Sequence, residues 1–254
     1  MSGTLNSAVY RMIQSAGRLA GIDIRRNGPS SRDDLRLIHF LREQRIDLLL
    51  DIGANRGQFA RTMFAGGYRG RIISFEAMPD AHADLVRVAR GRANWTIAPQ
   101  AALSNMRGEV EFYINVSDAT SSLLPASASS QAQIPGTRRQ AVVSVPTLTL
   151  DEAAARYSID RARTMVKIDV QGGEAKVLAG ASETLRRVAG LVIELSLTEL
   201  YDGQTLALDI LAPLLADGFE LIDIGIAYRD PRSYRLQQID AVLFHRDRLA
   251  APLG

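Results

Sequence analysis

The chain has 254 residues, 46% of them hydrophobic, and a formal net charge of +2 from 30 basic and 28 acidic side chains. That length suits one large α/β domain, because a single core divides only beyond roughly 250–300 residues. A cysteine-free sequence excludes a disulfide scaffold and a thiolate metal centre. No run of about 18 apolar residues offers a membrane-spanning helix.

Leu5, Val9, Ile13, Ala16 and Ala20 fall at helical spacing, with Arg11, Arg18, Arg25 and Arg26 elsewhere on the same helix. Arg11 and Arg18 interrupt any apolar signal-peptide core. The helix reads either as a cover packed on the domain or as a weak contact for a membrane surface. Ser31 and Asp34 then give a helix-start signature before Leu35, Ile38 and Leu41. Residues 1–45 are therefore expected to form an N-terminal helical extension, and 46–254 the main domain.

The run IDLLLDIG is wholly apolar until its Asp and Gly, as a central parallel strand buried on both faces should be. A helix over Gln58–Phe64, a strand RIISFE, a helix over Asp80–Arg90 and a strand over Trp95–Ala98, extended towards Leu103, follow in order. GEVEFYINV and QAVVSVPTL alternate like half-exposed strands and flank a Ser-, Ala- and Gln-rich insert near 117–140. An insert of that length is a lid over a site or a disordered segment. Strand TMVKIDV, helix Gly173–Arg187, strand GLVIEL, helix Leu206–Leu215, strand FELIDIG and strand DAVLFH complete the chain. The last two strands lack a helix between them, which predicts an antiparallel hairpin at a sheet edge. The sum is a doubly wound, mostly parallel, seven-stranded Rossmann-like α/β sheet.

The turn DIGANRG lies where the first strand gives way to a helix. Its spacing is G-x-x-x-G, neither the dinucleotide pattern G-x-G-x-x-G nor a phosphate-binding Gly-Lys-Ser/Thr loop. Gly53 and Gly57 allow a sharp turn and a close ligand, and Asp51 and Asn55 can receive the ammonium of an amino-acid-bearing cofactor. Glu76 ends the second strand, where a carboxylate accepts hydrogen bonds from ribose hydroxyls.

Taken in order, DIGANRGQF, FEAMPDAHADL, AALSNMRGEVEF, SSLL, TLTLDE, KIDVQGGEAKVLAGA and VIELSLTELYDGQ resemble the FkbM family of methyltransferases over roughly residues 46–245. The resemblance implies a class I methyltransferase fold and S-adenosyl-L-methionine as methyl donor, with cofactor contacts at Ala54, Phe59, Ala77, Met78 and Ala102 beside those above. It also implies a hydroxyl acceptor on a sugar, a glycoconjugate such as a glycolipid, or a polyketide-like product. Two departures stand out. The family's Glu-Pro is Glu76-Ala77 here, and its Asp-Val-Glu-Gly is Asp169-Val170-Gln171-Gly172.

A hydroxyl acceptor needs a base or a metal beside it, since an aliphatic alcohol is a poor nucleophile. Asp169, at the end of the fourth strand, is the first candidate, with helix N-capping as its structural alternative. Glu174 is catalytic or simply a carboxylate favoured by a helix dipole. Glu194 lies in an apolar strand where an unpaired carboxylate is costly, which points to catalysis or acceptor binding. Lys167 is expected to pair with one of these acids. Mg²⁺ could bridge them, but no ligand-spacing motif is visible and metal-free base catalysis is the favoured reading. Tyr201, Asp202, Tyr228 and Arg229 are placed in loops that suit sugar recognition or solvent. His39, His82 and His245 are too scattered for a metal centre. The rival of another class is a cofactor-binding scaffold that lost its base, a reading Gln171 favours. Nucleic acid is not an expected partner, for there is no basic stripe and no Asp/Asn-Pro-Pro-aromatic motif. The cytoplasm is the expected compartment.

Overall fold

The computed structural model describes residues 7–157, 159 and 163–252. Leu5 lies outside the described residues. Helices α1 (Ser7–Leu19) and α2 (Asp33–Glu43) precede an alternating series: β1 (Leu48–Ile52), α3 (Gln58–Ala65), β2 (Arg71–Phe75), α4 (Pro79–Ala89) and β3 (Trp95–Ile97). Next come β4 (Ala102–Leu103), β5 (Gly108–Asn115), α5 (Ala128–Gln133), β6 (Arg139–Leu148) and α6 (Leu150–Arg156). The chain continues through β7 (Thr164–Ile168), α7 (Glu174–Ala179), α8 (Ser182–Leu185), β8 (Gly190–Ser196), α9 (Ala207–Ala216), β9 (Phe219–Arg229) and β10 (Leu236–His245).

Seven strands form one sheet in the order β3-β2-β1-β7-β8-β10-β9, parallel except for β10, which is antiparallel to both its neighbours. The doubly wound sheet with an antiparallel last strand is as expected. β1 is buried along its whole length because both faces of the sheet are covered. Alternate residues supply the two layers: Leu48 and Leu50 join Val166, Leu191 and Ile210, while Leu49 joins Leu41, Met63 and Met165. From β1 the chain winds outward through β2 to β3, and from β7 it winds the other way. Their loops part above the carboxyl ends of β1 and β7 and leave a crevice there.

Several elements differ from the sequence reading. Leu103 does not extend the third strand; it belongs to β4, in a separate three-stranded sheet ordered β4-β6-β5. The helix expected over 173–187 breaks at Gly180 into α7 and α8. Asp151 of α6 accepts from the amides of Glu183 and Thr184, so α8 begins with its own orphan donors satisfied. Ser31 does not cap α2; its hydroxyl donates to the carbonyls of Arg26 and Gly28, and Arg32 stands at the cap. Tyr228 and Arg229 extend β9 and are not in a loop.

The two N-terminal helices differ in kind. α2 buries Leu37, Ile38 and Leu41 in the core under β1. α1 is no cover: Val9, Met12, Ile13 and Leu19 are exposed, and Tyr10 and Gln14 hydrogen-bond to the carbonyl of Ile24 in the connecting segment. No described helix is long and apolar enough to cross a membrane.

The insert is folded. Ser127 caps α5, Ala126 bridges to Tyr201, and Ser122 bridges to Tyr113. Leu123, Ala126 and Ser130 are buried. Of the two readings, the disordered segment is overturned, because these apolar and hydroxyl groups find partners on β5 and beyond β8.

Candidate active site

A cleft of about 530 Å³ opens over the carboxyl ends of β1, β2, β7 and β8, a size usual for small-molecule sites. Its first half is built by the turn after β1. Gly53 has φ +75°, and a Cβ there would lie 1.8 Å from the carbonyl oxygen of Asp169, so only glycine lets β1 and β7 deliver their ends side by side. Gly57 caps α3 at φ +83°, where a Cβ would strike the Trp95 ring at 2.7 Å. It packs the turn and does not line the cleft.

Glu76 is buried at the end of β2, and its two oxygens accept from the amides of Asn55 at 2.6 Å and Met78 at 2.7 Å. Burial pushes its carboxyl above the usual carboxylate range, and these two amides pull it back. Each oxygen keeps a lone pair for a ligand. Ala54, Asn55, Phe59, Ala77 and Ala102 line the same half of the cleft, while Met78 lies beneath it and serves through its amide. An acidic diol acceptor beside an apolar wall fits the ribose and adenine of S-adenosylmethionine.

Asp51 departs from its expected role. It is fully buried and off the cleft, accepts from Ser74 at 3.0 Å, and lies 3.4 Å from the Lys167 ammonium. A direct contact to a cofactor ammonium is therefore corrected to a supporting one: Asp51 fixes Lys167. Burial raises the Asp51 carboxyl, with Lys167 opposing.

The other half of the cleft gathers polar side chains from separate strands. Lys167 reaches from β7 to Asp169 at 3.2 Å, and to the carbonyl of Gly53 at 3.1 Å. Burial works against its charge, but Asp169 and Asp51 outweigh that and hold it protonated. The Gln171 amide donates to Asp169 and to Glu194, each at 2.7 Å, and Gln238 donates to the same Glu194 oxygen at 2.7 Å. Tyr201, buried in the core, lies with its hydroxyl 3.0 Å from the Gln171 side-chain oxygen. Gln171 adopts φ +56°, an uncommon backbone for glutamine, and Ser122 of the insert donates to its carbonyl. Burial, together with the charges of Asp169 and Asp240, pushes the Glu194 carboxyl well above its usual range.

Asp169 and Glu194 thus meet at one place, through the Gln171 amide, and Glu174 does not join them. Its carboxylate is buried beneath the loop, accepting from the amides of Val170 and Gly172 at 3.1 Å each, and burial pushes it up to about 7. It shapes the turn that presents Asp169. Asp169 in turn is no helix cap, since Gly173 occupies that position. None of the three histidines lines the cleft.

Sequence reasoning missed Gln238 and Asp240 on β10, Asp118 and Leu123 of the insert, and Asp33 of α2, all of which line the cleft or touch its acids. The available signal was LQQIDAVLF, where polar residues interrupt a strand that is otherwise apolar. Reading the strand as beginning at Asp240 hid that signal. No group of three or more His, Asp or Glu is arranged to hold a metal ion among the described residues.

The methyltransferase FkbM domain model matches residues 51–221. The 2-O-methyltransferase NoeI of Sinorhizobium fredii is 31% identical over 196 residues, covering 74% of this chain and 78% of NoeI. Among solved structures, Aeropyrum pernix fibrillarin with natively bound S-adenosyl-L-methionine aligns at 16% identity and TM-score 0.41, over 77% of this chain and 66% of that one. An rRNA methylase from Streptococcus thermophilus aligns at 11% identity and TM-score 0.45, over 85% and 97% of the respective chains. At these scores the structural likeness adds nothing to the strand order described above.

Proposed function

The chain belongs to the FkbM family of S-adenosylmethionine-dependent methyltransferases, and from that premise we propose that it methylates a hydroxyl of a sugar or glycoconjugate. The observation that carries this reading is the division of one cleft into an apolar half ending in Glu76 and a polar half holding Asp169, Gln171, Glu194 and Gln238. NoeI is a 2-O-methyltransferase, which supports oxygen as the acceptor atom.

The cofactor supplies an electrophilic methyl group; the protein must hold the acceptor in line and take its proton. Asp169 is the base. Lys167 and the Gln171 amide fix its carboxylate at the crevice between β1 and β7. With the cofactor bound, its sulfonium would give up the methyl group and leave as the thioether S-adenosylhomocysteine, while Asp169 would take the hydroxyl proton. Glu194, whose carboxyl burial and the neighbouring acids push well above its usual range, is held beside Asp169 by the Gln171 and Gln238 amides and offers a contact to another oxygen of the acceptor. Metal-free catalysis is supported by the partners these acids already have, an ammonium for Asp169 and two amides for Glu194. The same network counts against a scaffold that has lost its chemistry.

Incubation with labelled S-adenosylmethionine and a panel of glycosides, with the product's methyl position assigned by NMR, tests the reading. A new methyl ether on a sugar ring is expected. Labelling confined to polyketide or phenolic acceptors would overturn it. A cytoplasmic site of action accords with a cysteine-free chain.

A membrane-surface contact by α1 is a second reading with its own observation. Val9, Met12, Ile13 and Leu19 are exposed on a helix that carries Arg11 and Arg18 and no acid. Co-sedimentation with anionic but not zwitterionic vesicles, lost in Met12→Asp, is the expected result.

A further inference from the structure

The cleft is rich in carboxylates, and nearly all have a protein partner. Arg36 holds Asp33 and Asp223, Arg32 holds Asp34, and Arg56 holds Asp118. Glu76 has its two amides, Asp169 has Lys167, and Glu194 has two glutamine amides. Asp240 is the exception among the described residues. It sits mid-strand in β10, in register with Glu194 of β8 and Gly225 of β9, and lines the cleft without a hydrogen-bond donor of its own. A largely buried carboxylate left this way costs free energy in the empty protein.

The space beside it is equally specific. Gly225 also lines the cleft, and a Cβ there would lie 3.5 Å from the Cβ of Asp240 and 3.2 Å from a carboxylate oxygen of Asp33. The missing side chain leaves a notch between two acids, next to the Gln238 and Glu194 pair. A carboxylate in a notch, with no donor from the protein, suits a ligand that brings two donors close together. Adjacent hydroxyls of a sugar ring do so, and a single phenolic or ketide hydroxyl does not.

We propose that Asp240 determines acceptor specificity, its carboxylate receiving hydrogen bonds from two adjacent ring hydroxyls of a sugar and so presenting the next hydroxyl to Asp169. The assignment rests on the sugar O-methyltransferase reading and names the residue that selects the sugar. Charge in the notch agrees with it. Burial, with Asp169 close by, pushes the Asp240 carboxyl up to about 6; Lys167 opposes, and Asp33 and Glu194 add to the acidic surroundings. A raised folded-state value means that Asp240 adds stability at low pH and loses it as pH rises towards about 6. A neutral amide there should therefore make the ligand-free protein more stable at pH 8, while weakening acceptor binding.

The experiment compares wild type with Asp240→Asn, using labelled S-adenosylmethionine and methyl glycosides that carry all their hydroxyls or lack one. Asp240→Asn should raise KM roughly 10-fold or more with a smaller change in kcat. S-adenosylhomocysteine affinity by calorimetry should not change, and the melting temperature at pH 8 should rise. In wild type, removing a hydroxyl next to the methylated one should weaken kcat/KM roughly 10-fold or more; in the variant that penalty should disappear. Gly225→Ala, which fills the notch without altering charge, should also raise KM and leave S-adenosylhomocysteine affinity intact. An unchanged KM in both variants, or a deoxy penalty retained in Asp240→Asn, overturns the role of Asp240 alone. A wild-type preference for amino sugars that is lost in Asp240→Asn overturns the diol geometry in favour of an ammonium ligand. Failure of wild type to methylate any glycoside overturns the sugar reading, and this assignment with it.

Discussion

The two halves of the cleft are assembled in opposite ways. Apart from Ala102, the cofactor half comes from one continuous segment, β1 through Met78, and its carboxylate is satisfied by backbone amides close by in that segment. The acceptor half draws Asp169 from the end of β7, Glu194 from β8, and Gln238 and Asp240 from β10. Asp169 and Glu194 are held by side chains, Glu194 by amides from two other segments, and Asp240 by none among the described residues. A backbone-held acid tolerates change around it, whereas a side-chain network couples its members. Variants in the first half should disturb binding alone, and variants in the second should disturb chemistry, pH dependence or acceptor choice.

The largest effect expected is at Asp169. Asp169→Asn should lower turnover by ~10²–10⁴, the usual contribution of a general base, and leave S-adenosylhomocysteine affinity within a few-fold. Wild-type turnover in a folded Asp169→Asn protein would remove it as the base and blur the division between the halves. Glu76→Ala should do the converse. Loss of a charge-assisted ribose contact is worth about 1.5–3 kcal/mol, or roughly 10- to 150-fold in S-adenosylhomocysteine affinity by calorimetry. An unchanged dissociation constant would place the ribose elsewhere.

A subtler effect is expected at Gln171. Gln171→Glu puts a third carboxylate 2.7 Å from two others and restores the residue usual in the family. Like charges resist joint ionisation, so the acid side of the pH–turnover curve should move to higher pH by about one unit. Wild-type turnover should be indifferent to EDTA. Inactivation reversed by Mg²⁺ would show that the metal-free assignment is wrong. The smallest effect concerns the insert. Because it is already folded against β5 and Tyr201, limited proteolysis between Ser117 and Arg139 should be slow without ligand and slow further only slightly with S-adenosylhomocysteine. Rapid cleavage in the free protein would reinstate a lid that orders on binding.

The succession of strands along the chain, the antiparallel final hairpin and the cofactor turn were all readable from residues in a row. Hydrophobic runs mark buried strands whatever surrounds them, and Gly53, Gly57 and Glu76 lie within one short stretch of sequence. Even there, burial was not visible. Asp51 reads as a ligand until the sheet places it under the cleft floor beside Lys167. The acceptor half followed no local pattern. Asp240 becomes a site residue only because β10 inserts between β8 and β9, setting it across from Glu194 and beside the space left by Gly225. Glu174, three residues from Gln171 in sequence, is turned away to hold backbone amides. Strand identity follows from short-range pattern, but the meeting of side chains from residues 169, 194 and 240 follows from sheet order and register, which are long-range properties of the folded chain.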